Sequence, residues 1–328
     1  MEKSLDQKLE KIRSGRYTPS DFIIADAKDS DMGGGVTSFG LAGDGSGHCK
    51  SVPDYLAAMR SVTRTGLVDI MLMSASAAER LAAEKLFENS RVTPAVRLND
   101  ATDVWGPRHS NYKASPARDF RSARIDCVRR LADLGLYSIT FSNDLESDWN
   151  FLSDFHRFLD DLSGSNLRYF LEVFNPQIDV GISRDKLPAF VNDCIVRSLA
   201  GLTQADMPQF LKMPYNGPWA MEELCRYDPG RLIVGVLGGG AGTARDTFEL
   251  VRQSEKFGAR VALFGRKIQF SEDSAQTVKM MRAVVEGELS SKEAVKAFHA
   301  HLSENGIAPK RPLDEDLEIT EEVLMNDV

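Results

Sequence analysis

Residues 169–174 read Tyr-Phe-Leu-Glu-Val-Phe, and residues 209–213 read Gln-Phe-Leu-Lys-Met; each is a short apolar run with one charge near its centre. Runs of this kind are typical of parallel strands that are buried on both faces. From residue 20 onward similar runs alternate with segments of helical periodicity. The pattern predicts about eight strands, at residues 22–26, 68–73, 92–98, 137–141, 169–173, 209–213, 232–237 and 261–264.

The segments between these runs predict helices at residues 75–87, 117–133, 147–162, 186–199, 219–226, 244–257 and 274–286. Strands and helices that alternate in this number favour a closed barrel over an open, doubly wound sheet. We therefore predict an α/β fold with a single (β/α)8 TIM barrel at residues 21–290. An N-terminal helical extension is expected at residues 1–20, and a C-terminal helix with an acidic arm at residues 291–328. Ser290 and Glu293 have the spacing of a helix cap at the start of that last helix.

The composition excludes several classes of protein. Of the 328 residues, 42% are hydrophobic and 27% are charged, which is typical of a soluble globular chain. The net charge of −8 provides no general basic field, so we expect neither nucleic acid nor a membrane as a partner. Four scattered cysteines without a CxxC pair predict reduced thiols, and we expect a cytoplasmic protein. An anionic substrate would require a local cationic pocket.

Three of the predicted strands carry charges within apolar runs. Side chains alternate along a strand, so Lys212 shares a face with Phe210, and Glu172 shares a face with Phe170. Asp26 lies in the same way between Ile24 and Lys28. Because an unpaired charge against the helix layer is costly, we predict that Lys212, Glu172 and Asp26 face the barrel interior. The lysine is then either a buried ion-pair member or a covalent catalyst that forms a Schiff base.

Glycine-rich segments follow the last two predicted strands. Residues 238–242 read Gly-Gly-Gly-Ala-Gly, directly before a helix, and residues 265–267 read Gly-Arg-Lys. Glycines allow backbone N–H groups to approach an anion, and a guanidinium can bind two of its oxygens. In phosphate-binding barrels this pair of loops is the usual phosphate site. We call these segments the two glycine loops and predict a phosphate site at Gly238, Gly239, Gly240, Gly265 and Arg266.

These residues resemble the class I, Schiff-base aldolases that include archaeal-type fructose-bisphosphate aldolase and tagatose-bisphosphate aldolase. The resemblance rests on Ala25-Asp26, on residues 170–173 and 210–212, and on the two glycine loops. It implies a TIM barrel in which Lys212 forms a Schiff base with a ketose phosphate or dihydroxyacetone phosphate. It further implies that Glu172 is the strand-five acid and Asp26 the strand-one aspartate.

The chain departs from this family at two places. The archaeal-type enzymes transfer a proton with a tyrosine near strand five, where this chain has none, so Glu172 or Tyr215 is expected to take that role. Strand four also ends without the lysine that some relatives use for a second phosphate. Arg97 is a candidate to supply that charge, as are Arg108 and Lys113 in the following loop. Lys28, Arg97 and Tyr215 therefore complete the predicted substrate-binding residues.

The sequence predicts a lyase that cleaves or forms a C–C bond in a phosphorylated ketose. The five histidines show no metal-ligand spacing, and no Gly-x-Gly-x-x-Gly follows the first strand, so no metal and no cofactor are expected. One alternative is another Schiff-base reaction on a sugar phosphate, either acyl transfer or isomerisation. Another is a sugar-phosphate sensor without catalysis. The partner is expected to be a small phosphorylated sugar, and a homo-oligomer is expected, since such barrels often associate through outer helices.

Overall fold

A computed structural model describes residues 1–327, and within them eight parallel strands form the main sheet. The strands are β1 Ile23–Lys28, β2 Ile70–Met73, β3 Thr93–Arg97, β4 Leu134–Thr140, β5 Arg168–Phe174, β6 Leu211–Lys212, β7 Gly235–Leu237 and β8 Val261–Phe264. Strands from β1 to β6 pair in chain order, β8 pairs with both β1 and β7, and a bridge from Met213 to Val236 joins β6 to β7. The sheet thus closes on itself, and the predicted (β/α)8 barrel is confirmed.

Helices surround the barrel and extend beyond it at both ends. They are α1 Ser4–Arg13, α2 Val52–Thr65, α3 Ala75–Ala83, α4 Ile125–Val128, α5 Leu145–Leu162, α6 Leu187–Leu199, α7 Pro218–Tyr227, α8 Ala244–Lys256, α9 Ser274–Val285 and α10 Ser291–Glu304. Single turns occur at Asp31–Gly34, Arg266–Gln269 and Leu313–Asp316. Within residues 1–327, no helix has the length and apolar character needed to span a membrane.

The long helix predicted at residues 117–133 is wrong. A short antiparallel ribbon pairs Asn99–Ala101 with Asp119–Arg121, and only Ile125–Val128 is helical. The Asp119 carboxylate accepts hydrogen bonds from Asn99 and Tyr137, which hold this segment against the barrel in an extended form. Local helical pattern is overridden here by contacts with residues distant in sequence.

Two apolar layers form the core. The inner layer fills the barrel and includes Ile23, Ala25, Phe170 and Phe210, whereas the outer layer packs between strands and helices. Helix α1 adds Leu5, Leu9 and Ile12 to the inner layer. The ammonium of Lys3, directly before α1, donates to the carbonyls of residues 87, 90 and 92, next to the start of β3. The amino-terminal end of the barrel is therefore closed by α1.

The C-terminal extension packs across the start of α8. The predicted cap of α10 is confirmed, since Ser290 and Glu293 form a capping box. Farther on, the Asp246 carboxylate accepts hydrogen bonds from the backbone of Thr320 and Glu321. The Glu321 carboxylate in turn lies 2.6 Å from Lys267 Nζ. We call residues 316–324 the C-terminal strap; the predicted acidic arm continues to Val328, which lies outside the described residues.

Candidate active site

Lys212 and Glu172 meet inside the barrel. The register of β5 and β6 pairs the two residues directly, and each lies two positions beyond a phenylalanine of the inner layer. Lys212 Nζ is 2.6 Å from Glu172 Oε1, and the residues are only 5% and 1% exposed. The structure thus places both side chains in the interior, where the sequence led us to expect them. A buried amine held against a carboxylate has a proton acceptor at hand.

Arg97, at the end of β3, holds the second oxygen of Glu172. Its Nη2 lies 2.8 Å from Glu172 Oε2, its Nη1 donates to Ser138 Oγ, and its Nε lies 2.6 Å from Asp29 Oδ2. Ser138 also donates to Glu172 Oε2 at 2.8 Å. Burial by itself would lower the pKa of Arg97, but the charges of Asp29 and Glu172 outweigh burial and raise it. The guanidinium is therefore fixed in its charged form, bound to carboxylates of the site rather than directed to a phosphate as predicted.

Asp29 is the strand-one carboxylate of this cluster, and the sequence analysis missed it. It follows β1 at the parity of Ala25 and Ala27, which belong to the inner layer. Burial tends to raise the pKa of Asp29, but the charges of Arg97 and Lys212 and the hydrogen bond from Arg97 lower it overall. One feature of the sequence could have identified Asp29. Ala25 and Ala27, on the same face of β1, are small and leave room in the interior for a charged side chain.

The prediction that Asp26 and Lys28 face the interior is wrong. Asp26 pairs in register with Met71 and Phe264, which both belong to the outer layer. Ile24, on the same face of β1 as Asp26, belongs to the outer layer as well. The two side chains form their own ion pair, with Lys28 Nζ 3.0 Å from Asp26 Oδ1. Burial raises the pKa of Asp26, and Lys28 opposes that shift. The cost of a charge against the helices is reduced here because its partner lies two residues away on the same face.

Tyr215 also lies outside the interior. It belongs to the outer layer, and its hydroxyl donates to Gln253 Oε1 on α8 at 3.0 Å. From Lys212 onward, alternation directs Met213 and Tyr215 towards the helices. The expectation that Tyr215 binds substrate or transfers its proton is therefore wrong.

The two glycine loops lie side by side at the carboxyl end of the barrel, since β7 and β8 are neighbours. Within the described part of the chain, the backbone N–H groups of Gly239, Gly240 and Ala241 donate to no protein acceptor. Gly239 has a φ of +67°, and a Cβ on Gly265 would lie 2.9 Å from the carbonyl oxygen of Ala27. Arg266 is exposed beside this second glycine. Unpaired N–H groups together with a guanidinium form a suitable cradle for an anion.

The arrangement suits carbonyl chemistry on an anionic substrate. It places an amine beside an acceptor for its proton in the interior, and unpaired backbone N–H groups with a guanidinium at the carboxyl-terminal mouth. Among residues 1–327, no group of three or more His, Cys, Asp or Glu side chains is arranged to hold a metal ion.

Neither the protein-family models nor the curated proteins contain a match to this chain. Solved structures do match. An archaeal fructose 1,6-bisphosphate aldolase is 17% identical, over 86% of this chain and 99% of that one, with a TM-score of 0.63. Another, with its catalytic lysine covalently bound to the carbinolamine intermediate of the substrate, is 17% identical over the same shares, with a TM-score of 0.62. The fructose-bisphosphate aldolase of Slackia heliotrinireducens is 15% identical, over 91% and 90%, with a TM-score of 0.65. The chain therefore has the fold of these aldolases.

Proposed function

We propose that this chain is a class I aldolase-type lyase that cleaves or forms a C–C bond in a phosphorylated ketose through an imine on Lys212. The observation that carries the proposal is the contact of 2.6 Å between Lys212 Nζ and Glu172 Oε1 inside the barrel. The fold shared with Schiff-base aldolases supports the same reaction class. The glycine loops at the mouth support an anionic substrate.

Imine formation requires a neutral amine. Glu172 Oε1 accepts a proton from the Lys212 ammonium, and the amine then attacks the substrate carbonyl carbon to give a carbinolamine. Return of that proton to the carbinolamine hydroxyl releases water and leaves the iminium. The iminium then accepts the electron pair of the C–C bond that breaks. Arg97 and Ser138 hold the other oxygen of Glu172, so the acid keeps its orientation during these transfers.

Substrate phosphate binds at the glycine loops in this proposal. The free N–H groups of residues 239–241 supply hydrogen bonds, and Arg266 supplies charge. Binding energy at this remote group positions the reacting carbonyl over Lys212. Arg266→Ala should therefore chiefly raise KM.

Borohydride trapping tests the imine directly. The protein is reduced with borohydride in the presence of dihydroxyacetone phosphate, fructose 1,6-bisphosphate or tagatose 1,6-bisphosphate, and its peptides are mapped by mass spectrometry. We expect one adduct, on Lys212, and none in Lys212→Met. Lys28 serves as an internal control, because it is a buried, ion-paired lysine outside the barrel interior. Turnover of a ketose phosphate without any adduct on Lys212 would exclude the imine route.

A further inference from the structure

Another carboxyl group lies over the barrel interior, apart from the cluster of Lys212, Glu172, Arg97 and Asp29. Asp103 sits on the short turn Thr102–Val104, is only 3% exposed, and accepts a hydrogen bond from Thr140 Oγ1 at 2.9 Å. Thr140 ends β4 and shares its inward parity with Ser138, which contacts Glu172. Two residues along a strand span roughly 7 Å, so Thr140, which holds Asp103, lies about that much nearer the carboxyl-terminal mouth than Ser138, which contacts Glu172.

The two oxygens of Asp103 differ in their hydrogen bonds. Oδ2 accepts from Thr140, whereas Oδ1 is buried without a hydrogen bond among the described residues. A buried carboxylate oxygen without a donor is costly, so this oxygen is ready to accept from a ligand. The carboxylates beside Lys212 are less available to a ligand, because both oxygens of Glu172 are already bound and Asp29 is bound to Arg97.

Asp103 is also able to exchange a proton near neutral pH. Its pKa is raised overall to about 6: burial is the main cause and the charge of Glu172 adds to it, while the hydrogen bond from Thr140, its own backbone N–H and the charge of Lys113 oppose the shift. These groups, from β4, β5 and the loop after β3, are the ones that act on the carboxyl. By contrast, the pKa of Asp29 is lowered.

We propose that Asp103 exchanges the proton of the substrate hydroxyl at the C–C bond that breaks, a role that rests on the proposed function. In cleavage, Asp103 Oδ1 takes the hydroxyl proton and the hydroxyl oxygen becomes the carbonyl oxygen of the released aldehyde. The C–C bond breaks, and its electron pair converts the Lys212 iminium to an enamine. In synthesis the same proton returns to the new hydroxyl. Asp103 is therefore the base of cleavage and the acid of synthesis.

The cleavage rate then depends on the ionisation of Asp103. Cleavage requires ionised Asp103, so its rate should rise with pH through about 6 and be roughly tenfold lower at pH 5 than at its plateau. A substrate phosphate also titrates near 6, so wild type and variants are compared on one substrate.

The test measures cleavage and trapping in Asp103→Asn with the ketose bisphosphate that traps on Lys212. We expect the cleavage rate to fall by about 10²- to 10⁴-fold. Its rise with pH near 6, which we call the cleavage limb, should disappear, while the Lys212 adduct still forms. Asp119→Asn is the matched control. Asp119 is a half-buried carboxyl from the same loop, and its pKa is also raised to about 6, mainly by desolvation, but it binds Tyr137 of the outer layer. That variant should keep the limb.

A second variant leaves the carboxyl in place. Thr140→Val removes the hydrogen bond that lowers the pKa of Asp103, so the cleavage limb should move to higher pH. An unchanged limb in this variant, or wild-type cleavage in Asp103→Asn with Lys212 trapping intact, overturns the role of Asp103 alone. Absence of the Lys212 adduct in the wild-type protein overturns the proposed function instead.

Discussion

At the scale of single residues, Arg97 organises the site. Its guanidinium binds Asp29 after β1, Ser138 on β4 and Glu172 on β5, so one side chain on β3 connects strands on both sides of its own. The planar arrangement of its donors fixes the directions of two carboxylates at once. Lysine would carry the charge but could not reproduce these contacts.

Arg97→Met should therefore destabilise the protein strongly. The change leaves Asp29 and Glu172 buried without their guanidinium, a loss of about 3–5 kcal/mol in the free energy of unfolding. Urea unfolding at pH 7 measures it. Arg60→Met is the control, because Arg60 forms a partly exposed pair with Glu84 worth at most about 1 kcal/mol. Equal losses in the two variants would contradict the role given to Arg97.

Sequence patterns predicted the interior position of Lys212 and Glu172 because an unpaired charge against the helix layer is costly, and each residue does lie two positions beyond a phenylalanine of the inner layer. The same reasoning failed on β1. There the inward positions 25 and 27 are alanines, so bulk does not distinguish the two faces. Asp26 and Lys28 also neutralise each other, which removes the penalty on which the prediction depended. Asp103 could not be found from sequence, since its place depends on how a loop crosses the mouth.

At the scale of elements, the C-terminal strap connects both glycine loops. Thr243, which follows the first loop, donates to the backbone carbonyl of Glu318, and Asp246 accepts from Thr320. Lys267 of the second loop has a fully buried side chain that pairs with Glu321. The strap therefore fixes the position of one loop relative to the other.

Glu321→Gln should weaken phosphate binding without altering imine formation. Loss of the carboxylate leaves the buried Lys267 ammonium poorly paired and the second glycine loop less well positioned, for a cost of about 1 kcal/mol or roughly fivefold in Kd. Titration with inorganic phosphate by calorimetry measures the effect. Glu322→Gln, an exposed neighbour, should bind phosphate as the wild type does. Unchanged affinity in Glu321→Gln would separate the strap from the phosphate site.

Element prediction succeeded for all eight barrel strands and failed where side-chain contacts decide conformation. Helix α2 was not predicted, although Ser51 and Asp54 form a capping box ahead of apolar residues at 55, 56, 59 and 62. The glycine-rich stretch before this helix led us to interpret the whole segment as a loop. The ribbon at Asp119–Arg121 depends on Asn99 and Tyr137, whose proximity local periodicity does not reveal.

At the scale of the whole molecule, Asp69 joins three elements at the amino-terminal end of the barrel. Its carboxylate lies 2.9 Å from Lys8 of α1, pairs with Arg282 of α9 and accepts from the backbone of Ile24 on β1. Burial tends to raise its pKa, but the charges of Arg282 and Lys8 and the hydrogen bonds lower it overall. The ionised form is thus favoured in the folded protein.

This linkage predicts sensitivity to acid. A lowered folded pKa contributes stability that is complete above the unfolded value of about 3.9 and is lost as the pH falls through the folded value. Asp69→Asn should be less stable than wild type at pH 7, and its free energy of unfolding should fall less between pH 5 and pH 3. Urea unfolding at the three pH values measures both effects. Asp160→Asn, which changes an exposed carboxyl on α5, should follow the wild-type curve. If the free energy of unfolding of Asp69→Asn fell between pH 5 and pH 3 as much as that of the wild type, the linkage would be refuted.

Helix α1 closes the amino-terminal end of the barrel, and this has a kinetic consequence. In the proposed reaction, substrates, products and the water that hydrolyses the imine pass through the opposite opening. In the cleavage direction we therefore expect the aldehyde to leave first, because it lies between that opening and the carbon still bonded to Lys212. Product release is then ordered by geometry, and added aldehyde should exchange back into the substrate faster than the ketone fragment does.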